Sequence, residues 1–201
     1  MLKLENLFNK FADILGIITA TAMFLMIVNV FYDTITRYLF RVNSIAMQEM
    51  EWHLFSVVIL LGVAYTLKED GHVRVDILYD KFSYRKKAMI NMIGVFVAIL
   101  PISLLVGISS IENAMDAYLY MEKSNNPGGL EYRWIVKALI PLSFLMLIIT
   151  SIGFFIKNLN IYNGIHPLSK DSFQSEVEEL EKEFKGHKHH IVDIDEKGDL
   201  K

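Results

Sequence analysis

Four stretches of the chain, about residues 14–36, 47–67, 88–115 and 135–156, are predominantly apolar. Each is near or above the ~20 residues that an α-helix needs to cross a bilayer. Ahead of the first, Leu4, Leu7, Phe8, Phe11, Ile14 and Leu15 recur at three- and four-residue spacing, with Lys3, Glu5, Asn6, Asn9, Lys10 and Asp13 on the other side. Residues 1–13 therefore read as an amphipathic helix in the membrane interface, or as a simple extension of the first span into water. The pattern predicts an all-α integral membrane protein with four transmembrane helices, a membrane domain over 14–158 and a charged tail over 159–201.

The polar residues inside the spans are grouped. Asn29, Asp33 and Arg37 are four apart and share one face near the end of span one, where an isolated charge at bilayer depth would cost about 2.5–3.5 kcal/mol. Span two opens with Gln48, Glu49, Glu51 and His53, and Glu49, His53 and Ser56 share a face. Arg37 closes one helix beside the place where Glu49 opens the next, so an ion pair between them is expected. In span three Pro101 predicts a kink, and Gly94 with Ala98 forms a small-xxx-small pair that hints at close helix contact. Glu112 and Asp116 end that span, and Asn125-Asn126-Pro127-Gly128-Gly129 is strong turn chemistry in the next connection. Lys137 opens span four, with Pro141 soon after, and can snorkel outward.

Charge sets the expected orientation. Lys68, Arg74, Lys81, Arg85, Lys86 and Lys87 crowd the connection between spans two and three, and Lys3 and Lys10 lie on the same side. The opposite side carries Arg37, Arg41, Lys123, Arg133 and Lys137. The positive-inside rule then puts the basic hinge and both termini in the cytoplasm, with Trp52, Trp134, Tyr38 and Tyr65 near the interfaces. A mean hydropathy of +0.33 with 21% charged residues agrees with a membrane composition, and the net charge of -3 sits largely in the tail, so it does not suggest a nucleic-acid partner. The first apolar run is too long for a signal-peptide core and reads as a retained anchor. In the tail, Phe173, Val177, Leu180 and Phe184 mark one apolar stripe, with Asp171 or Ser172 as N-cap, so a short soluble helix is expected there, followed by a disordered end.

Little in the chain supports catalysis. With no cysteine there is no thiolate nucleophile or cysteine-ligated metal, and no Gly-rich phosphate loop or serine nucleophile motif occurs. His53 is the single histidine inside a span and His72 lies in the hinge, a poor set for haem; His187, His189 and His190 read as solvated tail residues. No catalytic, cofactor-binding or metal-binding residue is assigned. An independent small transporter would want repeated halves and a polar midplane, which these spans lack. A non-catalytic helical subunit that packs against something larger is the expectation from the residues.

The segments SIAMQEMEWHLFSVVILLGVAYTLKEDGHVRVDILYDKFSYRKKA and NPGGLEYRWIVKALIPLSF resemble the small permease subunit of the tripartite ATP-independent periplasmic (TRAP) transporters, the DctQ type. The similarity covers about residues 10–158, with GHVRVD the most specific piece and Arg37-Tyr38 and Glu49 in matching places. WHLF, HVRVDILYD, PGGL and KALIP are most similar to the branch associated with mannitol and chloroaromatic compounds, whose relatives handle organic acids. Two departures are the acidic tail after Asp171 and Glu131-Tyr132, where relatives often place proline.

The resemblance implies a division of labour. A periplasmic binding protein captures an organic acid, the large permease subunit carries it coupled to Na+, and this chain is a fixed scaffold in the bacterial inner membrane. Substrate and Na+ would bind on the large subunit, leaving no cofactor on this chain. Arg37, Glu49, Glu51 and His53 are then candidates for tying helices or meeting a partner. His72, Arg74 and Asp76 form a candidate loop clasp or contact to anionic lipid headgroups, and Asn126, Pro127, Gly128 and Gly129 a candidate docking turn for the binding protein. A structural or anchor subunit of a membrane redox complex is the alternative from another class.

Overall fold

A computed structural model describes residues 2–71 and 82–164. Expectations for His72, Arg74 and Asp76 of the hinge, for the tail helix and for the tail histidines lie outside the described residues. Among the described residues the protein is all-helical: α1 (Leu2–Leu39), α2 (Ile45–Lys68), α3 (Tyr84–Gly94), α4 (Leu100–Leu119) and α5 (Trp134–Tyr162), with a π-helical turn, Val95–Ile99, joining α3 to α4. Four helical stretches are long and apolar enough to cross a membrane: α1, α2, Arg85–Leu119 and α5. This is a multi-pass membrane protein.

Each helix outruns its apolar run. α1 is continuous from Leu2, so residues 2–13 share one unbroken helix with the first apolar run. The reason lies in α5: Glu5 is buried, its Oε2 accepts from Asn160 Nδ2 at 2.7 Å, and Phe8 presses on Gly153. Those contacts hold the segment in line with the span. Ser44 caps α2, its Oγ accepting from the Met47 N–H at 3.4 Å.

The irregularity that Pro101 predicts is a π turn just before it. Proline lacks an N–H and its ring crowds the carbonyl four residues back, that of Val97. Widening the helix there, so that the Leu100 N–H reaches Val95 O, relieves the crowding.

α5 is the central helix. α1 and α2 pack on each other and both pack on α5, while α3 and α4 pack on α5 as well. The interior is small and partly polar. Leu67, Val95 and Phe154 form the apolar centre, flanked by Ile99, Leu100 and Leu147. Around them Asn29, Asp33, Ser103, Ser143, Ser151 and Asn158 are buried, whereas Phe31 and Leu105 are about two-thirds exposed. Where lipid tails are as apolar as leucine, helices gain little by hiding large side chains from them, and small and hydroxyl residues that let backbones approach take the contacts instead.

The sequence expectation of an apolar midplane needs this refinement. Buried hydroxyls do occur along α4 and α5, yet Ser110, Ser143 and Ser151 donate to carbonyls of their own helices (Gly107, Ile140 and Ile148), at 2.9, 2.8 and 2.7 Å. Those three hydroxyls are thus satisfied within their own helices, whereas the buried Ser103 and Thr150 hydroxyls have no partner among the described residues.

The close helix approaches fall elsewhere than expected. A Cβ on Gly94 would meet nothing within 4 Å and Ala98 is exposed, so this pair joins no other helix among the described residues. A Cβ on Gly153 would lie 2.4 Å from Phe8 Cβ, and one on Gly16 2.6 Å from the Tyr65 ring. These two glycines let α1 sit against α5 and α2.

Candidate functional site

The end of the bundle opposite Leu2 and Gly164 is organised by one carboxylate. Glu49 lies in the second turn of α2 and reaches the connection 120–133 between α4 and α5. Its Oε1 accepts from the Ser124 hydroxyl and from Asn126 Nδ2 at 3.1 Å, and its Oε2 accepts from the Leu130 N–H at 2.7 Å. Three donors from one loop therefore converge on one side chain of another element, and bonds of this kind to an ionised acceptor are about twice as strong as neutral ones.

The loop is shaped to deliver those donors. Asn126 to Gly129 form a turn closed by Gly129 N to Asn126 O at 3.0 Å. Pro127 occupies its second position and Gly128, with φ +80°, the third, the arrangement of a type II turn. The Ser124 N–H donates to Leu130 O at 3.1 Å, and Asn126 N to Ser124 Oγ at the same distance. A Cβ on Gly129 would fall 2.4 Å from Ser124 Oγ and 2.8 Å from Glu49 Oε1. Only glycine lets the backbone pass this close to the carboxylate.

Ion pairs brace the loop base. Glu122 takes Lys137 directly and Arg133 at 3.9 Å, and Lys123 meets Glu131 at 2.8 Å. The Lys137 ammonium holds the Glu122 carboxyl below the usual carboxylate range, and Glu131 raises Lys123 above the usual lysine range. Lys137, in the first turn of α5, directs its charge to Glu122.

The entry to this loop carries backbone strain. α4 ends with Glu122 N bonded to Ala117 O at 2.9 Å and Met121 N to Tyr118 O at 3.2 Å, while Met121 has φ +46°. That is a Schellman ending in which methionine holds the left-handed position that glycine takes at least cost. Met121→Gly should therefore stabilise the folded complex, by about 0.5–1 kcal/mol. A thermal midpoint at or below the parent's would show that the Met121 side chain contributes more than its strain costs.

The sequence-derived residues fall out differently from one another. The expected Arg37–Glu49 pair does not form: Arg37 Nη2 instead meets Asp33 Oδ2, four residues back on α1, and Glu49 is taken by the loop. An i,i+4 partner on one helix is always in reach, and the loop supplies more donors to Glu49 than one guanidinium at a distance. His53 Nδ1 lies 2.6 Å from the Glu49 carbonyl of its own helix, and Glu51, half-buried, makes no ion pair among the described residues. Asn29, read only as one of a polar stripe, is the residue that joins α1 to α2 here, donating to Met47 O at 3.0 Å.

Several ties were missed from sequence. Ser124 and Leu130 gave no signal of their own. At the end that carries Leu2 and Gly164, Asn91 Nδ2 meets Asn158 Oδ1 at 2.8 Å and Lys68 meets Asp13 at 2.6 Å. The buried amides of Asn158 and Asn160, set in an otherwise apolar helix end, were the available clue.

The bundle thus has a polar tie at each end, apolar outer faces along its length and no convergent set of reacting groups on the described loop. No curated protein matches the chain. Residues 26–160, which include α2 to α4, the C-terminal part of α1 from Met26, most of α5, and the Glu49 loop, match the family described as tripartite ATP-independent periplasmic transporters, DctQ component. The chain belongs to this family, and is the small permease subunit of a TRAP transporter, a transporter component and not an enzyme, which works with a large permease and a binding protein.

Proposed function

We propose that the chain is the immobile scaffold of a Na+-coupled system that imports an organic acid through the bacterial inner membrane. Family membership carries the reading. The resemblance of WHLF, HVRVDILYD, PGGL and KALIP to the mannitol and chloroaromatic branch supports an organic acid as cargo. Na+ and substrate then bind on the large subunit, since this chain offers its neighbours apolar faces and fixed polar ties but no charged midplane site among the described residues. The excess of Lys and Arg on the hinge side supports cytoplasmic termini, which places the Glu49 loop in the periplasm. There the exposed turn of Asn126, Pro127 and Gly128, held by Glu49, is a ready surface for the binding protein. An anchor subunit of a redox complex does not fit a family of transporter components.

Tagging this chain in its native host and extracting it in mild detergent should recover a large multi-span permease in equal amount. That pair, reconstituted with its binding protein, should take up an organic acid when a Na+ gradient is imposed and not when K+ replaces Na+. Recovery of a haem or flavin subunit in place of the permease would overturn the scaffold reading; uptake indifferent to Na+ would overturn only the coupling.

A further inference from the structure

The turn that opens α3 presents two basic side chains, Arg85 and Lys86, on the outside of the bundle. Arg85 and Lys86 are exposed and make no ion pair among the described residues. No acidic residue stands in the first turn of α3, and the Ser83 side chain makes no capping bond. Two cations thus sit at the positive end of a helix dipole, each raising the local potential of the other. Below them Met89, Ile90 and Ile93 continue an exposed apolar face.

This turn lies at the end of the bundle from which the chain leaves α5. Asn91, six residues after Arg85, bonds Asn158, four residues before the last residue of α5. Eight residues lie between Gly164 and Phe173, and the nine steps joining those two span up to ~30 Å when extended. The segment that then follows has the complementary character. Between Asp171 and Phe184 it carries Asp171, Glu176, Glu178, Glu179, Glu181 and Glu183 against Lys182 alone, together with the apolar stripe of Phe173, Val177, Leu180 and Phe184. It also lies outside the matched residues 26–160, so nothing in the family's core accounts for it.

We propose that this acidic segment, Asp171–Phe184, docks on the basic opening turn of α3 of the same chain. Its carboxylates meet Arg85 and Lys86, and its apolar stripe covers Met89 and Ile90 at the edge of the membrane. The tether makes the encounter intramolecular, so a modest pairwise attraction suffices to populate it. Attachment here would let the tail act on the neighbouring hinge.

The chain has no cysteine, which makes a clean test possible. Met89→Cys and Ser175→Cys, which remove no charge, are introduced together in the full chain, purified with its partner subunits in nanodiscs, and treated with a short bifunctional thiol reagent. A strong intramolecular cross-link is expected. Arg85→Glu with Lys86→Glu should lower its yield roughly three- to ten-fold, as loss of two or three exposed pairs implies. Adding Glu176→Lys, Glu179→Lys and Glu183→Lys should restore it.

A cross-link indifferent to charge reversal, or one not restored by the swap, overturns the proposal. So does capture of the Ser175→Cys thiol by a cysteine of the large subunit with Met89→Cys left unreacted. A second cysteine pair, Thr19→Cys with Gly62→Cys across the α1–α2 contact, reports whether the fold is intact. If reversal disturbs that pair, Arg85→Gln with Lys86→Gln replaces it and the same loss is expected.

Discussion

Glu49→Gln is expected to release the 120–133 connection from α2 and to destabilise the complex, because hydrogen bonds to an ionised acceptor are lost. The substitution preserves size and tests charge and acceptor count together. The carboxylate accepts on both oxygens, from Ser124 and Asn126 on one and from the Leu130 N–H at 2.7 Å on the other. A glutamine must point its NH2 at one of those sets, so a donor faces a donor whichever way it turns. The direct readout is amide hydrogen exchange at Leu130, which should speed up by roughly ten-fold or more as its acceptor is lost.

Transport should report the same event. If the turn meets the binding protein, uptake by the variant falls most when binding protein is limiting and recovers when it is saturating. Unchanged exchange at Leu130 would show that the loop is held by its own turn and by the Glu122 and Lys137 pair, and the Glu49 clamp would lose its role.

Gly153→Ala should be strongly destabilising. Its Cβ would stand 2.4 Å from Phe8 Cβ, and a Cβ is fixed to the backbone, so no rotamer of phenylalanine can withdraw it. α1 must move away from α5 or the last turns of α5 must shift. Either response pulls the buried Asn160–Glu5 bond, 2.7 Å long, out of register. Overpacking of this kind costs about 1–3 kcal/mol, and the strained amide adds to it.

Gly94→Ala provides the contrast, because nothing lies within 4 Å of the added atom. There the better helix propensity of alanine should leave stability equal or raise it, by up to about 1 kcal/mol. Thermal midpoints of the two variants in the same detergent decide the matter: similar values would mean that α1 and α5 are not in the close contact described. Gly16→Ala should fall between them, since the Tyr65 ring that it meets can swing aside.

The residues whose role was legible in advance share one trait: their effect is local. An apolar run of span length becomes a helix whatever surrounds it, because in lipid each backbone polar group must be satisfied within its own segment. The Asn126-Pro127-Gly128-Gly129 turn follows from the fixed φ of proline and the freedom of glycine at φ +80°. Pro101 had to disturb its helix because it brings no N–H. The side chain of Glu49 could be singled out from sequence, as a charge opening an apolar helix, but its partners could not.

Partners depend on how each helix is rotated and how far it slides, and the sequence pattern constrains both weakly when all faces are apolar. One residue of slip turns a helix by about 100°. Such a slip decides whether Arg37 finds Asp33 or Glu49, and whether Gly153 or Gly94 lies in a contact. The chain by itself determined four membrane-length helices, a tight turn after the third span and a break near Pro101, all from backbone chemistry confined to a few neighbouring residues. Only the tertiary structure decided that Glu49 holds the 120–133 loop, that α1 runs unbroken onto Asn160 and that Gly16 and Gly153 are the points of closest approach. Those outcomes arise from contacts between residues as much as 155 positions apart, and such contacts exist only once the helices have chosen their faces.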